Sequence, residues 1–189
     1  MTDFSYKGSR KYIHVTDIYN KLIQSNNYSD VVMLFKKKII NQPRLVFQNT
    51  PKKKLLNNVN CVIDIIHNNK KKSILIYDTK KKINTKYYFD DELFYGFFKI
   101  KKNSCNCNFE TSMSSIEVLV AMTKYFHKKK LKNCSWIITK LKLDKKLNEK
   151  KNKNYTIYLK NYINNFTKLD VYQDKKHIGE IQFSREKYD

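Results

Sequence analysis

Glycine, proline, alanine and arginine together fill only nine of this chain's 189 positions. Such scarcity of Gly and Pro excludes collagen-like and flexible low-complexity segments. No apolar run approaches the roughly 18 residues that a membrane-spanning helix needs, so no span is expected. The N-terminus, MTDFSYKGSR, has no apolar stretch of the kind that secretory signals carry, and a cytoplasmic chain is expected. The four cysteines, Cys61, Cys105, Cys107 and Cys134, lack the paired two-residue gaps of a zinc ribbon. Reduced thiols and no metal or cofactor are the expectation. No P-loop, dinucleotide fingerprint or aromatic RNA-recognition signature occurs.

What fills the space instead is Lys, Asn, Ile and Tyr, at 90 of 189 positions. These residues have A/T-rich codons and the missing ones G/C-rich codons, the pattern of a very AT-rich genome. The formal net charge of +22 comes from 36 Lys and only three Arg. Much of it is therefore expected from codon usage, although the summed field still attracts nucleic acid non-specifically. Lysine triplets at 36–38, 52–54, 70–72, 80–82 and 128–130 fall mostly in turns and element ends. A hydrophobic content of 41%, with 14 Tyr and 11 Phe, excludes a disordered chain.

Apolar periodicity predicts two helices among many strands. The clearer helix is SSIEVLVAMTKYFHKKKL, 114–131, with a capping box of Ser114 and Glu117 and a basic last turn. It is apolar on most faces and must be largely enclosed. The other, TDIYNKLIQSN, is shorter, with Thr16 or Asp17 as its cap. After each helix come β-branched and aromatic runs, including KYYFDDELFYGFFKIK. The stretches CVIDIIHNNKKKSILIYDTKKKINTKYYFD and YTIYLKNYINNFTKLDVYQDKKHIGEIQFS share one layout: strand, Asn-Asn turn, strand, Lys-rich turn, strand. Each reads as a three-strand antiparallel meander. The chain thus reads as two similar halves, 1–88 and 89–189, of a duplicated α+β unit.

The stretch YKGSRKYIHVTDIYN gathers rare residues: Gly8, Arg10 and His14 just ahead of a helix start. His14 is the acid–base candidate, because imidazole titrates near neutral pH. Asp17 orients it or caps the helix. Gly8 and Arg10, with the N–H groups of the first turn, are candidates for binding an anionic group. The competing reading is an ordinary corner, where Asp17 caps, His14 fills space beside Tyr12 and Gly8 makes a turn. His67, His127 and His177 are expected at the surface. Asp90, Asp91 and Glu92 are expected to form solvated ion pairs. Cys105 and Cys107 sit before the second helix, where a thiol nucleophile is the lesser alternative.

A long helix wrapped by an antiparallel sheet, used twice, resembles the double-hotdog fold. The helix 114–131 would be the central helix of the second half, and DVYQDKKHIGEIQFS its outer strands. The resemblance implies an acyl-thioester protein, a dehydratase or thioesterase in fatty-acid or polyketide-type metabolism. Acyl carrier protein or a coenzyme A thioester would be its partner, and a monomer of two pseudo-dimeric halves or a homodimer its assembly. It also implies that His14 occupies the corner where dehydratases keep their histidine. The matching corner of the second half, NSCNCNFETSMSS, has none. The alternative class is a non-catalytic basic RNA- or ribosome-associated binding protein.

Overall fold

The structure is a computed structural model describing residues 3–26, 28–49, 57–131 and 135–185. Cys134 and the lysine triplet 52–54 lie outside the described residues. The chain divides into two compact units, residues 1–90 with 144–146, and residues 91–143 with 147–189.

The first unit opens with β1 (Tyr6–Lys7) and α1 (Val15–Ile18), continued by a π-helical turn over Tyr19–Gln24. Then follow β2 (Ser29–Phe35), β3 (Arg44–Gln48), β4 (Cys61–His67), β5 (Lys70–Tyr77) and β6 (Lys86–Tyr87). Four of these strands form an antiparallel sheet in the order β3-β5-β4-β2. The β4–β5 hairpin closes through Asn68 and Asn69, both left-handed at φ 50° and 60°. Asn tolerates this conformation, and two such residues match the twist of the flanking strands. β4 and β5 are apolar on both faces. Ile63, Ile65, Ile74 and Ile76 are buried, while Val62 and Leu75 form a separate cluster with Val59, Val46 and Tyr77. Strands covered on both faces read as continuous apolar runs, as CVIDII and SILIY do.

The expected third strand of the first meander behaves differently. β6 does not follow β5 into the sheet; it pairs in parallel with β1, Tyr6 against Lys86 and Lys7 against Tyr87. The residues between, 78–85, are instead tied to the 40–42 segment, where the Asp78 carboxylate accepts the Asn41 N–H at 2.8 Å. The run KYYFDDELFYGFFKIK is likewise not one strand. Only Lys86–Tyr87 and Lys99–Lys101 are extended, and a 3-10 helix spans Glu92–Phe97.

The second unit continues with β7 (Lys99–Lys101), β8 (Ser104–Glu110), α2 (Ser115–Lys130), β9 (Trp136–Leu143), β10 (Asn152–Ile163), β11 (Phe166–Gln173) and β12 (Lys176–Arg185). All pairings are antiparallel, in the order β9-β12-β11-β10-β8-β7. Here the meander is as read from the sequence. Its turns are Asn164-Asn165 and Asp174-Lys175, with Asn164, Asp174 and Lys175 at positive φ. The capping box of α2 is present: the Glu117 carboxylate accepts the Ser114 N–H at 3.0 Å and its hydroxyl at 2.8 Å. Ile116, Val118, Leu119, Val120, Ala121, Met122, Thr123 and Phe126 are buried. Inward positions of the sheet, Tyr155, Ile157, Leu169, Val171, Ile181 and Phe183, are buried as well. Among the described residues no helix is long and apolar enough to cross a membrane.

Candidate functional site

Parallel pairing of β1 with β6 builds the corner ahead of α1. The Tyr6 N–H reaches Thr85 O and the Gly8 N–H reaches Tyr87 O, both at 2.9 Å. Gly8 turns the chain at φ +61°, and a Cβ there would stand 3.0 Å from the Phe89 carbonyl oxygen. The torsion favours glycine, and the close carbonyl leaves little room for a Cβ. Arg10 folds back, its Nη1 donating to Lys7 O at 3.3 Å. Gly8 and Arg10 thus shape the turn.

The sequence favoured Thr16 or Asp17 as the helix cap, but His14 occupies that position. Its backbone is extended, and its carbonyl accepts the N–H groups of Asp17 at 3.1 Å and Ile18 at 3.3 Å. The imidazole Nδ1 replaces the usual cap oxygen, accepting the Thr16 N–H at 3.5 Å. Asp17 is the third helical residue, and its carboxylate accepts the Tyr87 phenol at 2.5 Å.

Lys7 was not singled out from the sequence, and it lies at the centre. It is 1% exposed, with Nζ 3.0 Å from Thr16 Oγ1 and 3.6 Å above the Phe89 ring centroid. A buried ammonium needs acceptors and aromatic faces, and this corner supplies both. Thr16 Oγ1 also lies 2.9 Å from His14 Nδ1. An ammonium can only donate, so the hydroxyl accepts from Lys7 and passes its own proton toward Nδ1. Two donors converge on Nδ1, which fixes the neutral imidazole with its proton on Nε2. Lys7, Thr16 and His14 thus form one buried hydrogen-bonded chain at the start of α1.

The second unit has a related knot without an imidazole. Ser115, first residue of α2, is fully buried and donates its hydroxyl to Asn148 O at 2.6 Å. The buried Lys153 on β10 donates to Ser115 Oγ and Glu149 Oε2, each at 3.1 Å. Glu149 also accepts the Ser115 N–H at 2.8 Å. Charge and donors are matched within this network, which clamps the helix start.

The other candidates fall out simply. His177 is exposed and His67 half-buried beside Tyr28, but His127 is not at the surface. It is 1% exposed, packed between Trp136 and Phe183, with Nε2 3.0 Å from the Thr167 hydroxyl. Burial drives its pKa from 6.5 down to about 3. Asp91 pairs with Lys124 at 2.5 Å and Glu92 with Lys128 at 3.0 Å. Cys105 and Cys107 are buried on β8, and burial raises their thiols to about 12 and about 11. Neither thiol is an activated nucleophile. Among the described residues no group of His, Cys, Asp and Glu is placed to hold a metal ion.

Strand, helix and an antiparallel return whose last strand lies beside the first post-helix strand is the layout of β8, α2 and β9–β12. The protein is of the α+β class, with helical segments and an antiparallel sheet in each unit. Solved structures similar to this chain include a hot dog fold protein of unknown function from Alicyclobacillus acidocaldarius (TM-score 0.43, 2% identity, covering 95% of this chain and 89% of that one). A candidate thioesterase II from Thermobifida fusca YX aligns at TM-score 0.46 and 4% identity, covering 95% and 88% of the two chains. The dehydratase domain of the CurF module of curacin polyketide synthase aligns at 0.41 and 8%, covering 92% and 82%. No protein-family model and no curated protein matches the chain.

Proposed function

We propose that the chain binds acyl thioesters, carried by coenzyme A or acyl carrier protein, at the His14 corner of its first unit. The chemistry is of the dehydratase or thioesterase type that the layout resembles. The observation that supports this reading is the relay Lys7–Thr16–His14, which holds one neutral imidazole at a strand-to-helix junction. A proton on Nε2 suits His14 to donate to the carbonyl oxygen of a thioester, polarising it for attack by water or for loss of a neighbouring proton. Asp17, steadied by Tyr87, fixes the first helical turn against which the imidazole is seated. Arg10 and Gly8 set the approach of the chain to that turn.

The test is turnover of acyl-coenzyme A and 3-hydroxyacyl-carrier thioesters, followed as released thiol and as enoyl absorbance. Wild-type protein should turn over one of these substrates, and His14→Gln should lose at least about a hundredfold in rate, within the range ascribed to a positioned acid–base group. Equal rates for the two proteins, or no turnover and no retained acyl ligand in the wild type, would reject the reading.

A further inference from the structure

The outward face of the second unit's sheet carries features that the His14 corner does not use. Tyr158 on β10, Tyr172 on β11 and His177 on β12 form a ladder across three adjacent strands. Tyr158 and Tyr172 meet edge to face at 5.4 Å, and Tyr172 and His177 at 5.2 Å. Tyr158 is 48% exposed. These positions alternate with the buried Tyr155, Ile157, Leu169 and Val171, so the rings stand on the side away from the core.

Cations surround the ladder. Lys160 pairs with Asp170 at 3.3 Å, and Lys140 and Lys168 close on Glu180 from two neighbouring strands, Lys140 at 2.9 Å. Lys142 stands opposite Glu180 in the β9–β12 register. Four lysines thus face two carboxylates, Asp170 and Glu180, and the patch keeps a positive excess. Burial raises the Glu180 carboxyl, but the hydrogen bonds and charges of Lys168 and Lys140 outweigh it and bring it down to about 2. The Glu180 carboxylate therefore stays ionised and holds the Lys140 and Lys168 ammonium groups on this face.

We infer that this face binds single-stranded nucleic acid, with bases stacked on Tyr158 and Tyr172 and phosphates held by Lys140, Lys142, Lys160 and Lys168. A polar sheet face with aromatic rings and lysines interleaved offers what a splayed strand needs: surfaces on which bases stack and cations for the charged backbone beside them. An acidic protein would use the lysines and leave the rings without a role. The inference rests on none of the residues of the His14 corner, so either can fail alone.

The experiment is fluorescence anisotropy of labelled polyuridine with the full chain across a salt series. Four phosphate contacts give a slope of about −3 in log affinity against log salt. Lys140→Gln with Lys168→Gln should bring it to about −1.5. Tyr158→Leu and Tyr172→Leu should each weaken binding about tenfold with little change in slope, and Tyr158→Phe should restore it. Circular dichroism and melting confirm that each variant is folded. Wild-type affinity in both Leu variants, or equal displacement of the label by heparin and by unlabelled polyuridine, would overturn the inference in favour of a general polyanion surface. No binding at low salt would overturn it outright.

Discussion

The imidazole of His127 lies against the indole of Trp136, ring centroids 4.7 Å apart and planes 17° from parallel. Phe183 packs edge-on at 4.8 Å, and among the described residues neither Nδ1 nor the buried indole Nε1 has a hydrogen-bond partner. Such a ring is neutral because burial to 1% exposure among apolar rings strips a charge of solvation that the one Thr167 hydroxyl does not replace.

The consequence is an acid-sensitive fold. The pKa of His127 falls from about 6.5 in the unfolded chain to about 3 in the folded one. Between those values the unfolded state binds the extra proton, so stability drops as pH falls. The slope from this residue alone approaches 1.4 kcal/mol per pH unit between about pH 6 and pH 3.5. Urea unfolding at a series of pH values should show this component in the wild type. His127→Phe should remove it while leaving the contribution of the carboxylates in place. Parallel pH profiles for the two proteins would contradict the assignment.

Thr16 joins two buried groups, as acceptor for Lys7 and as partner of His14 Nδ1. Thr16→Val keeps the shape and deletes the hydroxyl. Lys7 then loses this acceptor inside the corner, and a cost of about 1–3 kcal/mol is expected. Thr16→Ser should recover most of it. The same pair discriminates in the acyl-thioester assay, because Val breaks the relay and Ser preserves it. Equal unfolding midpoints for Thr16→Val and wild type would show that the relay holds nothing.

Legibility in the sequence follows the signals available. The α2 helix was readable because Ser114 and Glu117 stand three apart before an apolar run. The second meander was readable because Asn-Asn and Asp-Lys turns punctuate alternating strands. His127 had a signal that the lysines behind it obscured: it falls on the stripe of Ile116, Leu119, Val120 and Thr123, all buried. Lys7 and Lys153 had none, since two buried lysines cannot be told from 34 others by spacing. The β1–β6 pairing was equally hidden, because two-residue strands far apart in sequence leave no periodicity. It is that pairing which brings Tyr87 to Asp17 and Phe89 to Lys7.

Gly179 and Gly96 make a matched pair of tests. Gly179, in β12 at φ +152°, lies so close to β9 that a Cβ would fall 2.1 Å from Lys142 O and 2.9 Å from Leu143 Cα. These contacts are all backbone of β9, which leaves no flexible group to yield. Gly179→Ala should cost at least about 3 kcal/mol, read as a lowered urea midpoint or loss of folded protein. Gly96, in the 3-10 segment, has nothing within 4 Å of its Cβ position. Gly96→Ala should stay within about 0.5 kcal/mol of wild type. A tolerated Gly179→Ala would mean that the register of β9 with β12 is wrong.

The last prediction concerns the thiols that the sequence placed before α2. On β8, Cys105 lies between β7 and β10 and Cys107 pairs with β10, where its Sγ approaches Lys153 O at 3.7 Å. Burial is the main reason that both thiols are raised, to about 12 and about 11. At pH 8 the thiolate fraction is then about a thousandth or less, and access is closed as well. Iodoacetamide followed by peptide mapping should leave both unmodified in the native chain. Both should become labelled in urea, at the same midpoint that circular dichroism reports. Labelling of either thiol under native conditions at the rate of a free cysteine would reopen the nucleophile reading for this corner. It would also show that β8 opens locally, which its pairing with β10 along Ser104–Glu110 argues against.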